Sequence, residues 1–126
     1  MRINLVLIAA SAVCLAGDAL GAEHSRDGVL MDPDSHVVVL ENEHVRVLEN
    51  LSSPGKRSPM HTHGTMLVIS LDHVRLKMTV PDGDPFIIDL HPGQVIWMDD
   101  PEHAWEVLAG QLHVIAVEVK SASGSN

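Results

Sequence analysis

The sequence predicts a single all-β domain. Short apolar runs recur along the chain and are separated by turn segments rich in Gly, Pro and Asp, a spacing typical of a sandwich or barrel. Apolar Val74, Leu76 and Met78 alternate with Arg75 and Lys77, which is the two-residue period of a strand with one buried face. No segment after the N-terminal region has helical periodicity, and a chain of 126 residues fits one domain.

Residues 1–22 are interpreted as a secretory signal peptide. Arg2 supplies a basic start, an apolar run extends from Leu5 to Gly17, and small residues lead to Ala22. The apolar run is shorter than the roughly 20 residues that cross a bilayer. A buried N-terminal helix is the alternative. Export predicts a periplasmic or secreted protein without a stable membrane anchor after cleavage, and cleavage would remove Cys14, the only cysteine.

The rest of the chain divides into a leader, a barrel and a tail. Residues 23–35 are polar and turn-rich, so we predict a flexible N-terminal leader. Residues 36–120 carry the apolar runs of the barrel, and residues 121–126 are small and polar, which indicates a disordered tail. An antiparallel barrel would protect the edges of the eight or nine strands that we expect. The runs lie at 37–40, 44–51, 66–71, 73–80, 86–90, 95–98, 103–108 and 112–119.

Composition argues against several classes of function. The formal net charge is −9 and no basic stripe occurs, so the chain would repel phosphate backbones and nucleic acid is not an expected partner. The mature part has no cysteine, no Gly-x-Ser-x-Gly segment and no phosphate-binding loop, so neither a serine or cysteine nucleophile nor a nucleotide site is indicated. Nine histidines against three aromatic residues make histidine the distinctive side chain.

His61 and His63 form the most suggestive histidine pair. One residue separates them, so on a strand both side chains point to the same face, where two imidazoles could grip a transition metal. An exposed pair on an edge strand is the alternative. Six further histidines share no spacing and are interpreted as surface or structural residues: His24, His36, His44, His73, His91 and His113. Of these, His113 is the best candidate for a fourth ligand because it lies in mid-strand.

The sequence around this pair resembles the cupin superfamily. Its first motif reads G-x5-H-x-H-x(3,4)-E, and its second runs from a glycine through a proline to a third histidine. The matching positions are Gly55, His61 and His63 in the first motif and Gly93, Pro101 and His103 in the second. The resemblance extends over about residues 43–120. It implies a cupin-like double-stranded β-helix (a jelly-roll barrel) in which His61, His63 and His103 bind one metal ion.

One departure from the pattern specifies the type of cupin. The glutamate of the first motif would fall at Leu67 or Val68 and is therefore absent. What remains resembles the three-histidine cupins, a group that includes cysteine dioxygenase and β-diketone dioxygenase and commonly uses Fe(II). The resemblance thus implies one divalent metal ion, with Fe(II) favoured and Mn, Ni, Zn or Cu as the other options. A degenerate cupin without metal is the alternative.

Three neutral imidazoles would leave the 2+ charge of the metal uncompensated. Such a site favours an anionic substrate that binds through two atoms, and it leaves positions for water or dioxygen. We therefore expect a dioxygenase acting on a small anionic chelating substrate, with no catalytic acid or base assigned. A non-enzymatic envelope protein that binds metal or a small ligand is the second hypothesis. A metal-free structural cupin, dimerising through an edge strand, is the third.

Two tryptophans and one strand complete the expectations. Trp105 shares a strand face with His103 and is either a pocket wall beside the metal or ordinary core. Trp97 is interpreted as core. The run at 66–71 is apolar enough to be buried on both faces.

Overall fold

The computed structural model describes residues 26–121, so the predicted signal peptide and all but the first residue of the predicted tail lie outside the described residues. Nine strands follow one helical turn. The elements are α1 (Gly28–Met31), β1 (Val37–Glu41), β2 (Val45–Ser52), β3 (Arg57–Thr62), β4 (Met66–Ser70), β5 (Val74–Thr79), β6 (Phe86–Leu90), β7 (Val95–Met98), β8 (Glu102–Gly110) and β9 (Leu112–Val119). Within the described part, no helix is long and apolar enough to cross a membrane.

The strands form two antiparallel sheets that face each other. One sheet has the order β1-β2-β9-β4-β7, and the other has the order β3-β8-β5-β6. Alternating side chains of β4, β5, β8 and β9 are buried, so the core lies between the sheets. This architecture confirms the predicted all-β, double-stranded β-helix fold.

The pairing of β3 with β8 positions the predicted ligands. His61 lies directly opposite His103 in this ladder. The chain then continues along β8 and turns at Gly110, whose φ is +76°. A Cβ atom there would lie 2.2 Å from the carbonyl oxygen of His73, so this tight turn requires glycine.

Residues 26–35 pack on the barrel, in contrast to the flexible leader that the sequence predicts. Asp27 caps α1 by accepting a hydrogen bond from the backbone N–H of Val29 (2.9 Å). The same residue pairs with Arg46 (2.7 Å), and Asp32 pairs with Lys56 (3.0 Å). The acidic residues that made the segment look like a loop therefore anchor it to basic side chains of the barrel.

The outward-facing side of the five-stranded sheet is more exposed than predicted. Trp97 is 55% exposed, so its interpretation as core is wrong; strand parity turns Ile96 and Met98 inward instead. On the neighbouring β4, the outward residues Leu67 and Ile69 are only half-buried, so the strand is not buried on both faces.

Candidate metal centre

Four histidines meet between the sheets. They arrive from different elements: one precedes β1, one is in β3, one follows β3 and one is in β8. All are buried, with exposures of 4% for His36, 0% for His61, 8% for His63 and 5% for His103. The ring centroid of His61 lies 4.6 Å from His36, 4.8 Å from His63 and 4.8 Å from His103. The rings of the three predicted ligands are thus neighbours and His36 lies beside them, but the ligand atoms close enough to share one ion are those of His36, His61 and His63, without His103.

Hydrogen bonds fix the orientation of three of these rings. His36 donates from Nδ1 to the carbonyl oxygen of Asp32 (2.9 Å), and His61 donates from Nδ1 to that of Pro59 (2.6 Å). The Nδ1 of His63 lies 3.3 Å from a carboxylate oxygen of Glu118. With Nδ1 protonated, each Nε2 keeps a free lone pair. This is the usual arrangement of metal-binding histidines, whose other ring nitrogen donates to an oxygen.

The spacing of the free nitrogens fits a transition metal. The Nε2 atoms of His61 and His63 are 3.0 Å apart. Two lone pairs at this distance repel each other unless a cation or proton lies between them. Two nitrogen ligands about 2.1 Å from one ion, at right angles, would be about 3.0 Å apart. Candidate ligand atoms of His36, His61 and His63 all lie within 4.8 Å of one another.

His103 completes the cluster without such a hydrogen bond. Its ring centroid is 5.4 Å from that of His63. Its buried Nδ1 has no hydrogen-bond partner within the described part of the chain. A buried polar atom without a partner is unfavourable, and a metal ion would relieve this.

A glycine makes room for the rings. A Cβ atom on Gly28, the first residue of α1, would lie 3.0 Å from ring carbons of His36, His61 and His63 alike. The helical turn therefore lies directly over the histidines. His36, interpreted from the sequence as a surface or structural residue, is buried among the other rings, because residues 26–35 fold over the barrel.

Burial in the cluster favours the neutral, deprotonated form of the histidine rings, which is the form that binds metal. Burial lowers the pKa of His61 to about 4 and that of His103 to about 3, and the nearby histidines reinforce both shifts. Burial also lowers the pKa of His36. At neutral pH these imidazoles are uncharged, so protons compete little for the ligand atoms.

The cluster adjoins a cavity of about 250 Å³. His36, His63, His103 and Asn50 are its polar lining residues, and the remaining walls are apolar. Trp105 is 6% exposed, lines this cavity and lies 6.4 Å from the ring of His36. His113 points to the opposite face of β9 and pairs with Glu49 (3.4 Å), which places it outside the cluster.

No protein-family profile and no curated protein sequence matches this chain. Solved structures do match. A cupin domain from Bordetella pertussis superposes with a TM-score of 0.61 at 20% identity, covering 68% of this chain and 92% of that one. The chain has the cupin fold.

Two other solved structures are also similar to this chain. An RmlC-like cupin with a double-stranded β-helix fold, from Methanocaldococcus jannaschii, has a TM-score of 0.55 at 17% identity and covers 70% of this chain and 83% of its own. A polyketide cyclase from Streptomyces resistomycificus has a TM-score of 0.52 at 18% identity and covers 67% and 63%. At these identities the likeness establishes the fold of this chain.

Apolar side chains occupy the place of the missing motif glutamate. Of the two residues at its place, Val68 lines the cavity and Leu67 faces outward. His36, which lies outside both cupin motifs, brings an additional nitrogen to the cluster. The sequence carries no spacing signal for it, because the contact depends on how the leader folds back.

Glu118 extends the histidine cluster beyond His63. It is 4% exposed and pairs with Arg46 (2.6 Å), which in turn pairs with Asp27. Burial alone would raise the pKa of Glu118, but the hydrogen bonds of His63 and Arg46 outweigh it and lower the pKa to about 2. The carboxylate is therefore charged at neutral pH and accepts a hydrogen bond from Nδ1 of His63.

Removing this charge should weaken metal binding. Glu118→Gln should lower affinity for a divalent metal about 10- to 100-fold, because the amide holds the imidazole proton less strongly. Competition with a chelator of known affinity measures the effect. Glu49→Gln is the matched control, since Glu49 pairs with His113 outside the cluster. Equal affinities in the two variants would show that Glu118 does not support the site.

Proposed function

We propose that this protein binds one divalent transition metal through His36, His61, His63 and His103 and is an enzyme acting on a small molecule held in the adjoining cavity. The observation that carries the proposal is the common orientation of His36, His61 and His63: three ring nitrogens are tied to oxygens, and the opposite nitrogens converge beside the cavity. Fe(II) is the favoured metal, and Mn, Ni, Zn and Cu share the preference for imidazole.

The proposed reaction is oxidation of a chelating anion by dioxygen. Four neutral ligands leave two positions of a six-coordinate ion free, and the bound ion supplies Lewis-acid and one-electron chemistry. The chain's own residues orient the reactants. Trp105 limits the room beside His36, and the apolar walls exclude water from the polar end of the cavity.

Reconstitution with Fe(II) under anaerobic conditions tests this function. Small enolates or thiolates should produce a new absorption band or an altered EPR signal, because an anion reaches the metal directly. Admission of dioxygen should then consume oxygen together with the substrate, and His103→Ala should abolish the uptake. Failure of every anion in a chemically broad panel to perturb the metal would refute an open site.

A non-enzymatic binding protein is the second candidate, and the composition of the cavity favours it. The polar residues that line the cavity are the histidines and Asn50. No carboxylate or hydroxyl group among the lining residues could therefore act as a general acid or base. Anion binding without oxygen consumption would support this candidate over the enzyme.

We also propose export to the periplasm or the medium, on the basis of the N-terminal sequence. Intact-mass measurement of protein from that compartment should show a chain that begins near Ala22 or Glu23. A chain retaining Met1 in that fraction would refute cleavage of a signal peptide, and recovery of the protein from the cytoplasm alone would refute export.

A further inference from the structure

We infer that the ligand of this cavity is a hydrophobic molecule of about ten carbon atoms with a single polar head group directed at the histidines. The inference rests on the proposed function for the role of the head group. The volume and lining of the cavity, which involve no metal, support the size and the apolar character of the ligand.

The histidines lie at one end of the cavity, and the other polar lining residue, Asn50, lies opposite Val114, where its Oδ1 accepts a hydrogen bond from Ser52 (2.7 Å). His63 contacts Glu118 near the end of β9, and the next inward residues of that strand are Ala116, Val114 and Leu112. Alternate residues of a strand are about 7 Å apart, so this wall extends apolar side chains up to about 20 Å from Glu118.

The opposite wall of the cavity is also apolar. Trp105 lies across from Met78, which lies across from Phe86, in one row over β8, β5 and β6. Phe86 lines the cavity and is also 45% exposed, so the cavity opens to solvent beside it.

None of the lining residues is Lys, Arg, Asp or Glu. A second charged group on the ligand, remote from the histidines, would be buried without a partner, which is strongly unfavourable. Sugars, amino acids and dicarboxylates are therefore disfavoured. Simple acyl chains, terpenoids and alkyl-substituted aromatics fit.

The volume of the cavity limits the size of the hydrophobic part of the ligand. An apolar cavity of about 150 Å³ holds one benzene ring. By proportion, about 250 Å³ accommodates roughly ten carbon atoms.

Titration of the metal-free protein with n-alkanols, from butanol to dodecanol, tests the inference by calorimetry. Affinity should rise about fourfold for each methylene group and level off near ten carbons. Ala116→Leu, which narrows the cavity, should move this limit to a shorter chain. Ala109→Leu is the matched control, because Ala109 is exposed on β8. Val114→Phe is the second narrowing variant, should Ala116→Leu fail to fold.

Affinity that is independent of chain length, or tighter binding of dicarboxylates and sugars, would overturn the inference. An unchanged length limit in both narrowing variants would do so as well. Because alkanol binding needs no metal, a failure here is separate from a failure of the metal site.

A second inference comes from the outer face of the five-stranded sheet, meaning the side chains that point away from the four-stranded sheet. We propose that two copies of this chain pack through it. One row across all five strands is apolar throughout: Leu40, Val47, Val117, Leu67 and Trp97. On β2, β4, β7 and β9, this face has Glu49 and His113 as its polar residues, and these two pair with each other.

The size of this face suits a second copy. Five strands at about 4.8 Å spacing, with the two longest extending about 26 Å, give roughly 500 Å² in projection. The corresponding accessible area approaches the roughly 800 Å² per partner of a stable interface. This face carries few charges, since Glu49 pairs with His113 and Asp99 accepts a hydrogen bond from Trp97, so another copy of the same sheet can stack on it at about 10 Å. A net charge of −9 argues against an anionic lipid surface as the occupant.

Sedimentation of the purified protein tests the dimer. We expect twice the chain mass in the parent and the single-chain mass in Trp97→Glu and Val95→Lys. Ile87→Lys should remain dimeric, because Ile87 is equally exposed (52%) but lies on the other sheet. A single-chain mass for the parent, or dimers in both outer-face variants, would overturn the proposal.

Discussion

His61→Ala should lower bound divalent metal more than about 100-fold, the largest effect that we expect from any single substitution. His61 is fully buried, its Nε2 is 3.0 Å from that of His63, and its ring contacts all three other histidines. Loss of a ligand exceeds the roughly 10- to 100-fold effect of disturbing a supporting residue. Elemental analysis after dialysis against trace metal measures the result.

The companion variants decide which histidines are ligands. His36→Ala and His103→Ala should each release metal if all four rings bind it. Retention in His36→Ala would restore the three-ligand set that the sequence predicts, and retention in His103→Ala would favour His36, His61 and His63. His113→Ala should bind metal like the parent, since His113 faces away from the cluster. Full metal content in His61→Ala would eliminate the site.

The predicted part of the site depended on local spacing. His61 and His63 are two residues apart, and the cupin motifs supply His103, so strand periodicity and the resemblance together identify three rings that the structure brings together. Strand periodicity likewise predicted the fold, because the alternation in β5 is a property of neighbouring residues.

The unpredicted part depended on tertiary contacts. His36 enters the cluster because Asp27 and Asp32 pair with Arg46 and Lys56 and draw the leader over the barrel. Glu118 supports His63 across 55 residues of sequence. Trp97 was misassigned for a related reason: it shares a strand face with Val95, and tertiary pairing decides which face of β7 meets the core.

The same buried rings should make the metal-free protein sensitive to acid. The folded state holds His61 and His103 neutral, with pKa values of about 4 and 3, and it also lowers the pKa of His36. In the unfolded chain these rings take up protons near pH 6.5. Their contribution to stability is therefore fully present above about pH 6.5, and it is lost progressively as the pH falls towards 4.

The expected loss is large. Between pH 7 and pH 5, each ring that stays neutral in the folded state lowers the free energy of unfolding by about 2 kcal/mol, so His61 and His103 together account for about 4 kcal/mol. Urea midpoints of the metal-free protein at the two pH values measure it, and proton NMR should show neither ring titrating above pH 5. His103→Gln should lessen the pH dependence, whereas His44→Gln should leave it unchanged because His44 is exposed. Equal midpoints at pH 7 and pH 5 in the parent would contradict the neutral, buried cluster.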